Sequence, residues 1–130
     1  MRQMLTRGGG AIVNMSSDYG LFRSALGVSA YTASKHGIIG LTKAAALEYA
    51  KAGIRINAVL PGWIRTPMVE EALKNAPQFE ARILDHQPGG RLGRPEEVAE
   101  AVVWLCSDAA SFVTGHSMII DGGLSSSVGT

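Results

Sequence analysis

Residues 30–62 read A-Y-T-A-S-K-H-G-I-I-G-L-T-K-A-A-A-L-E-Y-A-K-A-G-I-R-I-N-A-V-L-P-G, and this stretch decides the fold. From about Ala30 to Ala52 it predicts one long helix, with Lys51 in the last turn and Gly53 as the left-handed residue that ends it. Ile54-Arg55-Ile56-Asn57-Ala58-Val59-Leu60 then predicts a strand, stopped by Pro61-Gly62. Upstream, Ala11-Ile12-Val13-Asn14-Met15 predicts a short buried strand. Downstream, Pro95 suits the first turn of a helix, with Glu96 and Glu97 near its positive end. Val98, Ala101, Val102 and Leu105 recur at helical spacing and give that helix a core stripe. Met118-Ile119-Ile120 predicts a last strand, ended by Asp121-Gly122-Gly123. Strands that alternate with helices imply an α/β fold with a parallel sheet and crossovers between layers.

Inside the long helix, Tyr31 and Lys35 stand four residues apart and share one face. A free phenol loses its proton near pH 10, too high for acid–base work at neutral pH. A cation within about 4–6 Å favours the phenolate. Ser29 reads as an N-cap, which puts Tyr31 in the first turn, where the helix dipole acts in the same direction. Such a pair is also a common amphipathic surface feature. The context is more specific. Ser16-Ser17-Asp18-Tyr19-Gly20 follows the first strand at its carboxyl end, the end where open α/β sheets place ligands.

Five segments occur in order: G-A-I-V-N-M-S-S, Y-T-A-S-K-H-G, N-A-V-L-P-G-W-I-R-T-P-M, R-L-G-R-P-E-E-V-A and V-T-G-H-S-M-I-I-D-G-G. Together they resemble the C-terminal half of a short-chain dehydrogenase/reductase, over essentially the whole chain. The resemblance implies the last three strands of a seven-stranded, doubly wound, mostly parallel Rossmann-type sheet. It implies an NAD- or NADP-dependent oxidoreductase that moves hydride between the cofactor and a secondary alcohol or ketone. In that reading Tyr31 is the general acid in reduction and the base in oxidation, and Lys35 assists it and hydrogen-bonds the nicotinamide ribose. Ser17 donates a hydrogen bond to the substrate oxygen. The family's S-x-x-G spacing to Gly20 favours Ser17 over Ser16, whose side chain strand alternation turns elsewhere, and Asp18 reads as a loop residue, with substrate contact as the lesser alternative. Pro61, Gly62, Ile64 and Thr66 match the segment that holds the carboxamide and nearby phosphates; Pro61-Gly62 could also be only a turn. Trp63 to Arg94 correspond to an irregular lobe that closes over the substrate. Its apolar residues Trp63, Met68, Val69, Leu73 and Phe79 either line a pocket or anchor the lobe. The 30–52 helix corresponds to a contact between subunits, so a homo-oligomer is expected; Ala33, Gly37, Gly40 and Ala44–Ala46 would permit close approach, although alanines are also simply good helix formers.

The family's T-G-x-x-x-G-x-G turn, its N-N-A-G segment and a helix bearing an Asn do not occur in these 130 residues. Gly8-Gly9-Gly10 precedes a strand rather than following one and reads as a loop. The expectation is therefore one unit, residues 1–130, forming the C-terminal half of a single Rossmann-type domain, with the N-terminal half missing. This fragment alone is expected to be inactive and to bind NAD or NADP weakly or not at all, and a non-catalytic truncated remnant or pseudoenzyme that acts only by association is the competing class. The first strand would then keep an open edge.

Composition excludes other classes. A formal charge of +1 with twelve scattered basic residues is no nucleic-acid footprint. No apolar run approaches the ~18 residues of a membrane span. The single Cys106 cannot form an internal disulfide and reads as a small core residue, which with the absent signal pattern sets a cytoplasmic expectation. His36, His86 and His116 lack ligand-spaced partners, so no metal is expected.

Overall fold

The computed structural model describes residues 1–22 and 27–127. Helix α1 (Arg2–Arg7) leads into β1 (Gly10–Met15), followed by α2 (Ser29–Tyr49), β2 (Ile54–Pro61), α3 (Pro67–Asn75), α4 (Pro77–His86), α5 (Pro95–Cys106) and β3 (Ser117–Ile120). The sheet order is β1-β2-β3 and both pairings are parallel.

Strand β2 is the centre, and its side chains alternate between two helical layers. Ile54, Ile56, Ala58 and Leu60 face α2, against Ile39 and Ala46. Val59 faces the other way, into a cluster with Val98 and Leu105 of α5. A strand covered on both faces tolerates polar residues only where they are hydrogen-bonded. Asn57 meets that condition: its Nδ2 donates to the Val113 carbonyl (2.9 Å) and its Oδ1 accepts from the His116 amide (3.0 Å). Arg55 reaches under the end of α5 and donates to the carbonyls of Leu105 (2.7 Å) and Ser107 (3.0 Å). A cation at the carbonyl end of a helix satisfies orphan acceptors and opposes the dipole.

Three sequence expectations are corrected. Residues 63–94 are not irregular, since they hold α3 and α4. Thr66 caps α3, its hydroxyl oxygen accepting from the Val69 amide (3.3 Å), and Pro67 and Pro77 open the two helices. Leu73, Ile83 and Leu92 form a small core of their own, with Trp63, Val69, Phe79 and Leu84 packed on it. Cys106 is exposed rather than buried. It follows Leu105, which points into the core, and one residue turns a helix by about 100°. Ser29 is not the N-cap of α2: the helix begins at Ser29, and Val28 precedes it without a side-chain cap. Tyr31 remains in the first turn.

The long helix otherwise follows its expected course. A 3-10 turn, Ala50–Ala52, ends it, and Gly53 takes the left-handed conformation at φ 72°. Strand β1 pairs with β2, and no other strand among the described residues pairs with its opposite edge.

Candidate active site

At the carboxyl ends of β1 and β2 lies a cavity of about 600 Å³. Ser17, Tyr31 and Lys35 all line it, together with Pro61, Gly62, Ile64 and Thr66. The structure thus brings every sequence-predicted site residue to one place, from three segments of the chain.

The assembly begins at Gly20. A 3-10 turn, Asp18–Gly20, follows β1 and packs directly on α2. A Cβ on Gly20 would fall 2.7 Å from both Ile39 Cδ1 and Ser16 Oγ, and 3.0 Å from the Lys35 carbonyl oxygen. Only hydrogen fits there, and this close approach sets Ser17 beside the first turns of α2. Ser16 also lines the cavity, but its hydroxyl donates to the Lys35 carbonyl (2.9 Å), tying the end of β1 to the helix. Lys35 returns along the same junction, its Nζ donating to the Met15 carbonyl (3.2 Å). That Nζ also lies 5.3 Å from the centre of the Tyr31 ring. The Tyr31 ring is held edge-on by Tyr19, centroids 6.1 Å apart at 89°. Tyr31 remains 44 % exposed, and its hydroxyl makes no hydrogen bond among the described residues.

Ser17 and Asp18 form a buried polar pair. The Ser17 hydroxyl donates to Asp18 Oδ1 (2.8 Å), and the Tyr19 amide donates to the same oxygen (2.8 Å). Burial raises the Asp18 carboxyl above its ordinary value; the hydrogen bonds from Ser17 and Tyr19 oppose this, and the like charge of Asp121 adds to it. Sequence reading took Asp18 for a loop residue. Its burial arises from packing against α2, and no local pattern signals it.

The other face of the cavity is apolar, formed by Val28, Trp63, Ile64, Met68, Val69 and Val98. Trp63 and Val69 both line the cavity and anchor the lobe, and Met68 only lines it. Leu73 and Phe79 belong to the lobe core. The lobe is attached at the cavity by a short parallel bridge between Ile64 and Gly93, where a Cβ on Gly93 would fall 2.6 Å from Ile64 Cδ1. Among the described residues no group of His, Cys, Asp and Glu is arranged to hold a metal, and no helix is long and apolar enough to cross a membrane.

A family model described as enoyl-(acyl carrier protein) reductase matches residues 1–125. The chain belongs to the short-chain dehydrogenase/reductase family. Among similar proteins of this family, the cyclohexanol dehydrogenase of Acinetobacter sp. (strain SE19) is 53% identical over 123 residues, covering 95% of this chain and 46% of the relative. The cis-4-hydroxycyclohexanecarboxylate dehydrogenase of Sinomonas cyclohexanicum is 49% identical over 123 residues, covering 95% and 48%. The crystal structure of a gluconate 5-dehydrogenase from Burkholderia cenocepacia J2315 in complex with NADP and tartrate superposes with a TM-score of 0.89 at 33% identity, over 96% of this chain and 48% of that one. This short-chain dehydrogenase/reductase chain therefore spans about half the length of the relatives it matches.

Proposed function

We propose that this chain carries the acid–base half of an NAD(P)-dependent dehydrogenase that interconverts a secondary alcohol and its ketone. One observation carries the reading: Ser17, Tyr31 and Lys35 converge on a single cavity at the ligand-binding end of the sheet. Tyr31 gives a proton to the substrate oxygen in reduction and takes it in oxidation. Its hydroxyl has no hydrogen-bond partner among the described residues to give up first, and Tyr19 and Lys35 hold its ring from two sides. Ser17 turns its hydroxyl from Asp18 to the substrate oxygen and stabilises the charge that develops there. Lys35, anchored by Met15, presents a positive charge beside the phenol.

The residues present fit the nicotinamide end of the cofactor. Lys35 and Thr66 offer donors for ribose and carboxamide, while Pro61, Ile64 and Val98 give an apolar wall for the ring. Bound there, the nicotinamide would supply or accept the hydride. The sequence contains no glycine-rich turn between a strand and a helix, so the pyrophosphate and adenosine have no ready cradle within these 130 residues. Names of the relatives support cyclic alcohols as the substrate class.

Association between copies fits the outer face of α2. Ala46 packs into the core, but Ala33, Gly37, Gly40, Leu41, Ala44 and Leu47 are exposed along the opposite side. The assay that tests the functional reading is reduction of NAD⁺ and NADP⁺ by a panel of cyclic secondary alcohols. In the chain completed by a glycine-rich N-terminal half, alcohol-dependent reduction that vanishes in Tyr31→Phe is expected. Undiminished reduction by the variant would refute the assignment, and silence of the unaltered chain even when mixed with a glycine-rich N-terminal half would favour the remnant.

A further inference from the structure

We propose that Asp18 selects the substrate of this site, accepting a hydrogen bond from a second hydroxyl of a neutral diol and rejecting molecules that carry a carboxylate beside the reacting carbon. The proposal rests on the reading of Ser17 and Tyr31 as the groups that meet the reacting oxygen. Asp18 is 8 % exposed and lines the 600 Å³ cavity. Its Oδ1 already accepts two hydrogen bonds, but its Oδ2 accepts none from any described residue. A carboxylate has about four acceptor sites, so Oδ2 keeps capacity for a donor that enters the cavity. Ser17 caps the 3-10 turn, its hydroxyl oxygen accepting from the Tyr19 amide (3.3 Å), and that amide also bonds only Oδ1 of Asp18, so Oδ2 takes no part in the turn.

No described cation neutralises the group. Lys35 is the only Lys or Arg lining the cavity among the described residues, and its Nζ is held by the Met15 carbonyl. Asp121 lies near enough to add repulsion instead. The rest of the lining combines the hydroxyls of Ser17, Tyr31 and Thr66 and the Lys35 ammonium with an apolar wall. A ligand hydroxyl placed next to the reacting oxygen supplies the missing donor, since Ser17 Oγ and Asp18 Oδ1 are only 2.8 Å apart. A ligand without that hydroxyl leaves Oδ2 unpaired, and sites built to bind a hydroxyl discriminate strongly against its absence. An anionic ligand meets like charge in a poorly screened setting.

Three matched ligands test this: cyclohexanol, cis-1,2-cyclohexanediol and cis-2-hydroxycyclohexanecarboxylate. Binding to the purified protein is followed by calorimetry or ligand-observed NMR, and turnover is measured in parallel. The diol should bind about tenfold tighter than the mono-alcohol, as one hydrogen bond to a charged group implies, and the carboxylate most weakly. In Asp18→Asn the diol preference should narrow and the carboxylate gain affinity. Equal affinities for the three in the unaltered protein overturn the proposal without any variant, and so does an unchanged ranking in a folded Asp18→Asn. A diol preference without turnover of any ligand, in the chain completed by a glycine-rich N-terminal half, leaves Asp18 in place and removes the acid–base reading. Turnover of all three at equal efficiency, with equal binding, does the reverse.

Discussion

The cavity around Ser17, Tyr31 and Lys35 and a smaller one of about 230 Å³ beside β3 both open at the carboxyl ends of strands, yet they treat charge in opposite ways. In the smaller cavity both oxygens of each acid accept a hydrogen bond. Arg91 grips both carboxylate oxygens of Glu97 (2.6 and 2.8 Å), and the Arg94 amide adds a third bond (2.7 Å). Hydrogen bonding to Arg91, then to the Arg94 backbone, holds the Glu97 carboxyl down to about 2. Burial works to raise Asp121, but the hydrogen bonds from Ser125 and Gly123 outweigh it and leave that carboxyl below its ordinary value. These acids fasten the turn after β3 and the start of α5. In the larger cavity Asp18 is raised by burial, and the Tyr31 hydroxyl makes no hydrogen bond among the described residues. Polar capacity left unfilled near a cavity marks the region where a ligand completes the arrangement.

Gln87 is the exception in the smaller cavity. Its Nε2 donates to the Asp121 carbonyl (2.6 Å) while its Oε1 is buried without a partner. The side chain occupies the space that a Cβ on Gly122 would need, 2.6 Å from Nε2, at a residue whose φ of +62° already favours glycine. That packing seats the lobe on the end of β3.

The contrast can be broken at several points. The largest expected effect is at Tyr31: Phe in its place keeps the ring and removes the transferable proton, so turnover should fall by roughly 10²–10⁴-fold, with cofactor affinity nearly intact. Retention of a tenth of the activity would place the proton transfer elsewhere. Next is Gly20→Ala, whose methyl must displace Ile39, Ser16 or the helix backbone. It should cost about 1–3 kcal/mol in denaturant unfolding, and turnover should drop because Ser17 moves with the turn. A neutral result would mean that the junction is softer than its distances imply.

The two kinds of acid should also differ in the sign of their pH dependence. Glu97, lowered to about 2 from 4.5, contributes stability that is complete above 4.5 and lost as pH falls through its folded value. Melting temperatures recorded from neutral pH downward should therefore fall less steeply for Glu97→Gln. Asp18, raised above 3.8, favours its neutral form in the folded state, so its contribution is present below 3.8 and lost as pH rises through the raised value. Asp18→Asn should flatten a slope of the opposite sign. Matching slopes for both variants would erase the distinction between the cavities.

The parts of this arrangement legible in the sequence are the local ones. Ile54 to Leu60, stopped by Pro61-Gly62, announces a strand, and Tyr31-x-x-x-Lys35 announces a shared helix face. The convergence of Ser17 with that face was implied by the family resemblance, whose S-x-x-G pattern Ser17 and Gly20 match. Arg55 and Asn57 carried no such signal, because their partners lie about 50 residues away, at Leu105 and Val113. Cys106 was misplaced because an apolar run does not reveal which side of its last turn faces the core. The two lobe helices were obscured by their prolines, which read as breaks but stand at helix starts.

The central claim is that the Ser17–Tyr31–Lys35 cavity brings an alcohol carbon against a nicotinamide ring. Its most direct test is isotope transfer, using cyclohexanol deuterated at the carbinol carbon with NAD⁺ or NADP⁺ and the protein completed by a glycine-rich N-terminal half. The account predicts deuterium at C4 of the reduced cofactor and a rate lowered by the label. Reduced cofactor free of deuterium, or no reduction in any such assembly, would contradict it.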